Sequence, residues 1–263
     1  MQRQERPAVA FLTEIVSQVR ERLARRPLPE GSLLLRTLAM PPPLDFEAAL
    51  RGPGLALIAE VKRSSPSAGE IGDVDPGEQA ARYQAGGASA ISVLTEPRHF
   101  GGSLADLRAV RRHTTLPVLR KDFIVHPGQV IEARAEGADA VLLIAAALSE
   151  LELDELRTVA EELGMSAVVE AHTPADLERA LGAGARIVGV NARDLESLEV
   201  DLDAALALAG SVPPGRVVVV ESGLRSREDV LRAERAGAHA VLVGEAFMRS
   251  ADPAAAVREL LGR

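Results

Sequence analysis

The chain of 263 residues has no cysteine and no tryptophan, a single tyrosine and five phenylalanines. Without cysteine there is no disulfide framework, no thiolate nucleophile and no zinc site of the Cys type. Lysine is nearly missing too. Of 30 basic residues only Lys62 and Lys121 are lysine, and the others are arginine. Long apolar runs are also absent. The longest, Ala140–Leu148, has nine residues, too few to cross a bilayer. After the charged start Met1–Arg6, the next apolar stretch is broken by Glu14, Ser17, Gln18 and Arg20, which is not the core of a signal peptide. A net charge of -8 offers no global attraction to nucleic acid or anionic lipid. Neither is expected as a partner, and the default expectation is a soluble cytoplasmic protein.

What is present is a chain 47% hydrophobic and 26% charged, too apolar for disorder. Its length suits one large α/β domain or two small ones. Residues 8–24 show Val9, Leu12, Ile15, Val16, Val19 and Leu23 at helical spacing, which predicts an amphipathic helix ended by Pro27 and Pro29. Pro41-Pro42-Pro43 reads as a stiff connector, with Asp45 capping a short second helix through Leu50. These residues, 1–54, precede any strand signal and read as an extension on the main fold.

From Leu55 onward eight short apolar runs appear: Leu55–Val61, Ala88–Leu94, Pro117–Leu119, Ala138–Ala145, Ser166–Val169, Ile187–Val190, Val217–Val220 and Ala238–Val243. Helix-like patterns fill nearly every interval, among them Leu104–Arg112, Gln129–Glu136, Leu151–Leu163, Pro174–Leu181 and Arg227–Ala236. The runs do not alternate with polar residues, as suits strands buried on both faces of a parallel sheet. Eight β/α units predict a (β/α)8 barrel. A doubly wound open sheet competes but lacks a Gly-rich fingerprint after the first strand. A Gly-Ala pair at Gly87, Gly137, Gly184 and Gly237 opens each even-numbered run, so the repeat unit is two β/α modules. Glycine there ends the preceding helix in a left-handed conformation.

Active sites of such barrels lie at the C-terminal ends of the strands. The runs end in Glu60-Val61-Lys62, Arg120-Lys121-Asp122-Phe123, Glu170, Asn191-Ala192-Arg193-Asp194, Glu221-Ser222-Gly223 and Gly244-Glu245. Glu60 and Lys62 share a face by strand alternation. An ionisable pair on an apolar strand faces the barrel mouth or buries charge in the core. Ser222-Gly223 and Gly244-Glu245 follow the seventh and eighth runs, where these barrels bind phosphate. Glycine admits close backbone N–H approach, and a short helix from Glu245 adds its dipole. Ordinary strand-to-helix turns are the competing reading. Lysine, unlike arginine, can be tuned to give up a proton, so a chain that uses arginine almost throughout keeps lysine where an amine is needed.

These segments together resemble the indole-3-glycerol phosphate synthase family. The resemblance runs through Ile58-Ala59-Glu60-Val61-Lys62-Arg63-Ser64-Ser65-Pro66-Ser67, Leu94-Thr95-Glu96 with Phe100, Leu119–Ile124 and Val141–Ile144. It continues through Glu170, Gly189–Leu195, Glu221-Ser222-Gly223 and Val243–Arg249. It implies one (β/α)8 domain over residues 1–263 with the helical extension included, and a monomer. It also implies a small phosphorylated substrate, 1-(2-carboxyphenylamino)-1-deoxyribulose 5-phosphate, closed to an indole with loss of CO2 and water, without a metal or an organic cofactor. By the same resemblance Lys121 is the general acid at the ketone oxygen, working best with a pKa lowered among neighbouring cations. Glu60, Lys62 and Glu170 share the proton transfers of dehydration, in an order left open. Lys62 is also a candidate contact for the phosphate. Asn191 orients hydroxyl groups. Arg193 holds carboxylates, Glu221 or the substrate's. Ser222, Gly223, Gly244 and Glu245 line the phosphate site, with Glu245 contacting through its backbone N–H and its acid turned away. Ser65, Pro66, Phe100, Phe123 and Leu142 wall the aromatic pocket, and Leu195, Glu221, Leu224 and Leu242 complete the substrate contacts. Asp122 is read as a structural partner. His99, His126 and His172 lack metal spacing and read as loop residues.

Two rivals predict other residues. An isomerase acting on phosphoribosylanthranilate calls for a Cys and Asp pair, and a non-catalytic barrel would have lost its strand-end acids and lysines.

Overall fold

A computed structural model of the chain describes residues 11–65, 69–70, 74–248 and 250–263, giving the backbone alone for 65, 69 and 70. Eight strands close a parallel barrel: β1 (Ala56–Val61), β2 (Ala90–Leu94), β3 (Val118–Lys121), β4 (Ala140–Ile144), β5 (Ser166–Ala171), β6 (Ile187–Asn191), β7 (Val217–Glu221) and β8 (Ala240–Val243). Each pairs in parallel with its sequence neighbours, and β8 returns to β1 through Ala56↔Ala240 and Ile58↔Leu242. Nearly every strand residue is buried, which is why the runs read as continuous Val, Ile, Leu and Ala: both faces are covered, one by the barrel interior and one by helices. The pairing of β8 with β1 closes the sheet and excludes the open-sheet alternative.

The helices between strands start at side-chain caps. Ser103, Asp201 and Asp252 accept the N–H of the third helical residue. Ser149, Thr173 and Ser226 form reciprocal capping boxes with Glu152, Asp176 and Asp229, satisfying N–H groups that no helical carbonyl can reach. Helices Pro76–Gly86, Leu202–Gly210 and Pro253–Leu261 fill the intervals without a named sequence pattern. The four repeated glycines, 87, 137, 184 and 237, all have positive φ, the left-handed turn that feeds each even-numbered strand into the sheet.

The extension comprises α1 (Phe11–Arg25), α2 (Glu30–Leu38) and α3 (Phe46–Leu50). In α1 the predicted stripe is buried through Leu12, Ile15 and Val19, while residues 8–10 of the expected helix lie outside the described residues. Helix α2 was not anticipated. It buries only Leu33, against Ile131 and Ala135, so its sequence carries little stripe. Helix α3 is the third helix rather than the second. Asp45 caps it at the Ala48 N–H, and Phe46 and Leu50 are buried against the first two strands.

Candidate active site

A cavity of about 340 Å³ opens at the C-terminal ends of the strands. Glu60, Lys121, Glu170 and Asn191 project into it from β1, β3, β5 and β6, and Lys62 follows β1. Period-two alternation puts these residues inward and sends their neighbours, such as Arg120, outward. Arg120 is buried outside the barrel wall, donating to Thr95 Oγ1, the Gln129 carbonyl, Glu132 and Asp122. Asp122 also accepts from the Phe123 N–H, so its bonds are structural.

The charged groups form one network. Lys62 Nζ donates to Glu60 Oε1 at 2.7 Å. Lys121 Nζ lies 2.5 Å from Glu221 Oε2 and 3.7 Å from Glu60 Oε2. Burial works against an ionised Glu60, but Lys62 and Lys121 outweigh it and hold its pKa below the usual carboxylate value. Glu170 goes the other way. Burial first and then the charge of Glu221 push its pKa up to about 7, against opposing pulls from Lys121 and Asn191. Two carboxyls of one mouth are thus separated in acidity. Lys121 corrects the expectation of a lowered pKa. Burial disfavours its charge, but Glu221, Glu60 and Glu170 override it and raise the pKa above that of free lysine. Its spatial neighbours are carboxylates, because Arg120 points away.

Glu221, expected among the substrate contacts, is fully buried and is not part of the cavity wall. It reaches the site through Lys121, and its Oε1 has no hydrogen-bond partner among the described residues. Arg193 does not hold Glu221. Its guanidinium donates to the Leu198 carbonyl and its N–H to Asn191 Oδ1, while the side chain lines the cavity. Two glycines make room for acids. A Cβ on Gly189 would collide with Glu221 Oε1, and one on Gly244 would meet Glu60 Oε1 and Cβ.

Ser222, Gly223, Gly244 and Glu245 lie together on the cavity wall. Ser222 has φ 65 and Gly223 φ 75. A left-handed serine costs on the order of 1 kcal/mol. Glu245 is exposed and begins a helix, Glu245–Met248. Phe100, Phe123, Leu142, Leu195, Leu224 and Leu242 supply the apolar wall, with the rings of Phe100 and Phe123 centred 6.3 Å apart. Ser65 is described only as backbone of a two-residue strand paired with Gly69–Glu70, and Pro66 lies outside the described residues.

Comparison with known proteins agrees with this geometry. The sequence profile described as Indole-3-glycerol phosphate synthase matches residues 12–260. The chain belongs to the indole-3-glycerol phosphate synthase family. Curated members from Saccharopolyspora erythraea and Rhodococcus jostii are 51% and 52% identical over 256 residues, covering 96% of this chain and 95% of each relative. Solved structures described as KGPDC from Streptococcus mutans (TM-score 0.62, 16% identity, 79% of this chain and 96% of that one) and thiamine phosphate pyrophosphorylase from Pyrococcus furiosus (0.59, 17%, 79% and 94%) share the barrel fold.

Sequence reasoning missed Phe11, which lines the cavity from α1 and meets the His99 ring edge-on at 5.2 Å. Phe11 lies within residues 8–24 but outside the predicted stripe, and no residue pattern pointed to its contact with His99. His172, expected as a solvated loop residue, bonds the Asn191 carbonyl through Nδ1 at 2.8 Å and lies 3.5 Å from Asp194, tying two loops together.

Proposed function

We propose that Lys121, Glu170 and Glu60 divide the proton transfers of this chain's reaction according to their separated acidities. As a member of its family the chain is a carboxy-lyase of tryptophan biosynthesis, converting 1-(2-carboxyphenylamino)-1-deoxyribulose 5-phosphate to indole-3-glycerol phosphate. The ring carbon bearing the carboxylate attacks the sugar ketone, CO2 leaves, and water is then lost. Attack turns the ketone oxygen into an alkoxide, a far stronger base than an amine. An ammonium kept charged by Glu221 and Glu60 can therefore protonate it as it forms. In dehydration the hydroxyl leaves with a proton and a second proton is removed from the ring system. Glu170, partly protonated near neutral pH, is the acid, and ionised Glu60 is the base. Asn191, beside Glu170, orients the leaving hydroxyl. Lys62 holds Glu60 in place and is within reach of an anionic substrate.

The phosphate sits at Ser222, Gly223, Gly244 and Glu245, whose backbone N–H groups face it. The aromatic ring packs against Phe100, Phe123 and Leu142, and Arg193 meets the substrate carboxylate. The observation that carries the reading is the three-strand contact of Lys121 with Glu221 and Glu60 at one cavity mouth. The same reading makes the enzyme a cytoplasmic monomer of one domain, with no need for a metal, an organic cofactor or nucleic acid; sedimentation tests the first. Among the described residues no helix is long and apolar enough to cross a membrane. Incubation with the substrate tests the chemistry: CO2 and indole product are expected in equal amounts, and indole formed without CO2 would contradict it.

A further inference from the structure

We infer that Glu96 is a positioning residue that sets the aromatic wall of the cavity and fastens α1 to it. The inference rests on the reading above, because the substrate ring is what that wall would meet. Glu96 follows β2 and is only 3% exposed. Its carboxylate accepts the N–H of Arg98 at 2.9 Å, of His99 at 2.6 Å and of Phe100 at 3.3 Å, and its carbonyl accepts the Gly102 N–H at 2.9 Å. A seven-residue loop is thereby closed around one side chain. Buried backbone N–H groups need acceptors, and a carboxylate has enough lone pairs for all three.

The three residues so fixed face three structures. Phe100 lines the cavity beside Phe123, and its carbonyl accepts the Ser64 N–H from the loop after β1. His99 packs edge-on against Phe11 of α1. Arg98 donates to Gln18 of α1 at 3.0 Å. One acid therefore places the ring wall and anchors the helix that brings Phe11 to the mouth. Glutamine keeps one acceptor oxygen and turns an N–H donor toward the others.

The test is Glu96→Gln in the full chain. KM for the carboxyphenylamino-deoxyribulose phosphate rises about tenfold, kcat stays within about threefold, and inhibition by inorganic phosphate is unchanged. The effect shrinks in a Phe100→Leu background, because Glu96 acts through that ring. An unchanged KM, an equal loss of phosphate affinity, or additive effects would overturn the proposal. Should Glu96→Gln not fold, Glu96→Asp is measured in the same way, since the shorter acid cannot span the three N–H groups. Hydrogen exchange reads the anchoring without turnover. Amides of α1 and of residues 98–102 lose protection in the variant while the barrel strands keep theirs, and unaltered protection in α1 overturns the proposal even if no substrate is turned over. An inert wild-type enzyme with the exchange result intact would defeat the functional reading alone.

Discussion

Glu221, at the end of β7, reaches across the barrel to place Oε2 2.5 Å from Nζ of Lys121 on β3, the strand diametrically opposite in the eight-strand order. Glu221 is fully buried and Lys121 only partly so, and the carboxylate has the ammonium as its hydrogen-bond partner. Removing one partner of a buried pair costs far more than an exposed pair contributes. The same carboxylate adds to burial in raising the pKa of Glu170, so Glu221 contributes to the acidity of the site without lining the cavity.

Glu221→Gln removes that influence. The pKa of Glu170 is expected to fall below about 7, and the descending limb of the kcat/KM profile to move to lower pH with it. A limb that stays in place would show that Glu221 does not tune Glu170.

Glu170 itself gives a two-part expectation. As the acid of dehydration it must be protonated in the free enzyme, so kcat/KM falls as pH rises through about 7. The limb should vanish in the residual activity of Glu170→Gln, with kcat reduced about 10²- to 10⁴-fold. Stability follows by linkage. Its folded pKa is raised from 4.5 to about 7, so between those values the folded state binds more protons than the unfolded one and the stability contributed by Glu170 declines as pH rises. Glu170→Gln should therefore gain in Tm relative to wild type between pH 4.5 and 7, and keep the gain above. Thermal melts at pH 4.5 and 8 check the sign, and a constant difference would contradict it.

Gly189 faces Glu221 Oε1 so closely that no side chain fits between them. Gly189→Ala should displace the carboxylate from Lys121 and lower kcat at least tenfold, with a stability loss of about 1–3 kcal/mol. Denaturant titration and steady-state kinetics separate the two effects. Wild-type kcat in a folded variant would show that the Glu221 position is not needed.

The barrel was legible because strands covered on both faces must be apolar throughout, and because Gly87, Gly137, Gly184 and Gly237 mark the same turn four times. The strand-end residues were legible because charge on an apolar strand must face the mouth or be paired behind the wall, as Arg120 is with Asp122 and Glu132. The sign of the Lys121 shift was not. Its sequence neighbours Arg120 and Asp122 pair with each other, and the groups that set its acidity come from β1, β5 and β7, distances the linear chain does not display. Phe11 escaped for a related reason, as did the role of Glu96, which the resemblance had named only as part of a motif. Each acts through a loop contact, Phe11 with His99 and Glu96 with three backbone N–H groups, and neither contact has a residue pattern. Helix α2 was hidden because one buried leucine makes no periodic stripe.

The absence of tryptophan leaves the enzyme without indole fluorescence of its own, and the product supplies it. The most direct measurement mixes the folded protein with 1-(2-carboxyphenylamino)-1-deoxyribulose 5-phosphate and follows indole emission, beside Lys121→Arg assayed at matched inhibition by inorganic phosphate. The account predicts steady emission growth for wild type and turnover reduced at least about 10²-fold for the variant, since a guanidinium keeps the charge but does not give up its proton. No emission from folded wild type, or near-normal turnover in Lys121→Arg, would contradict it.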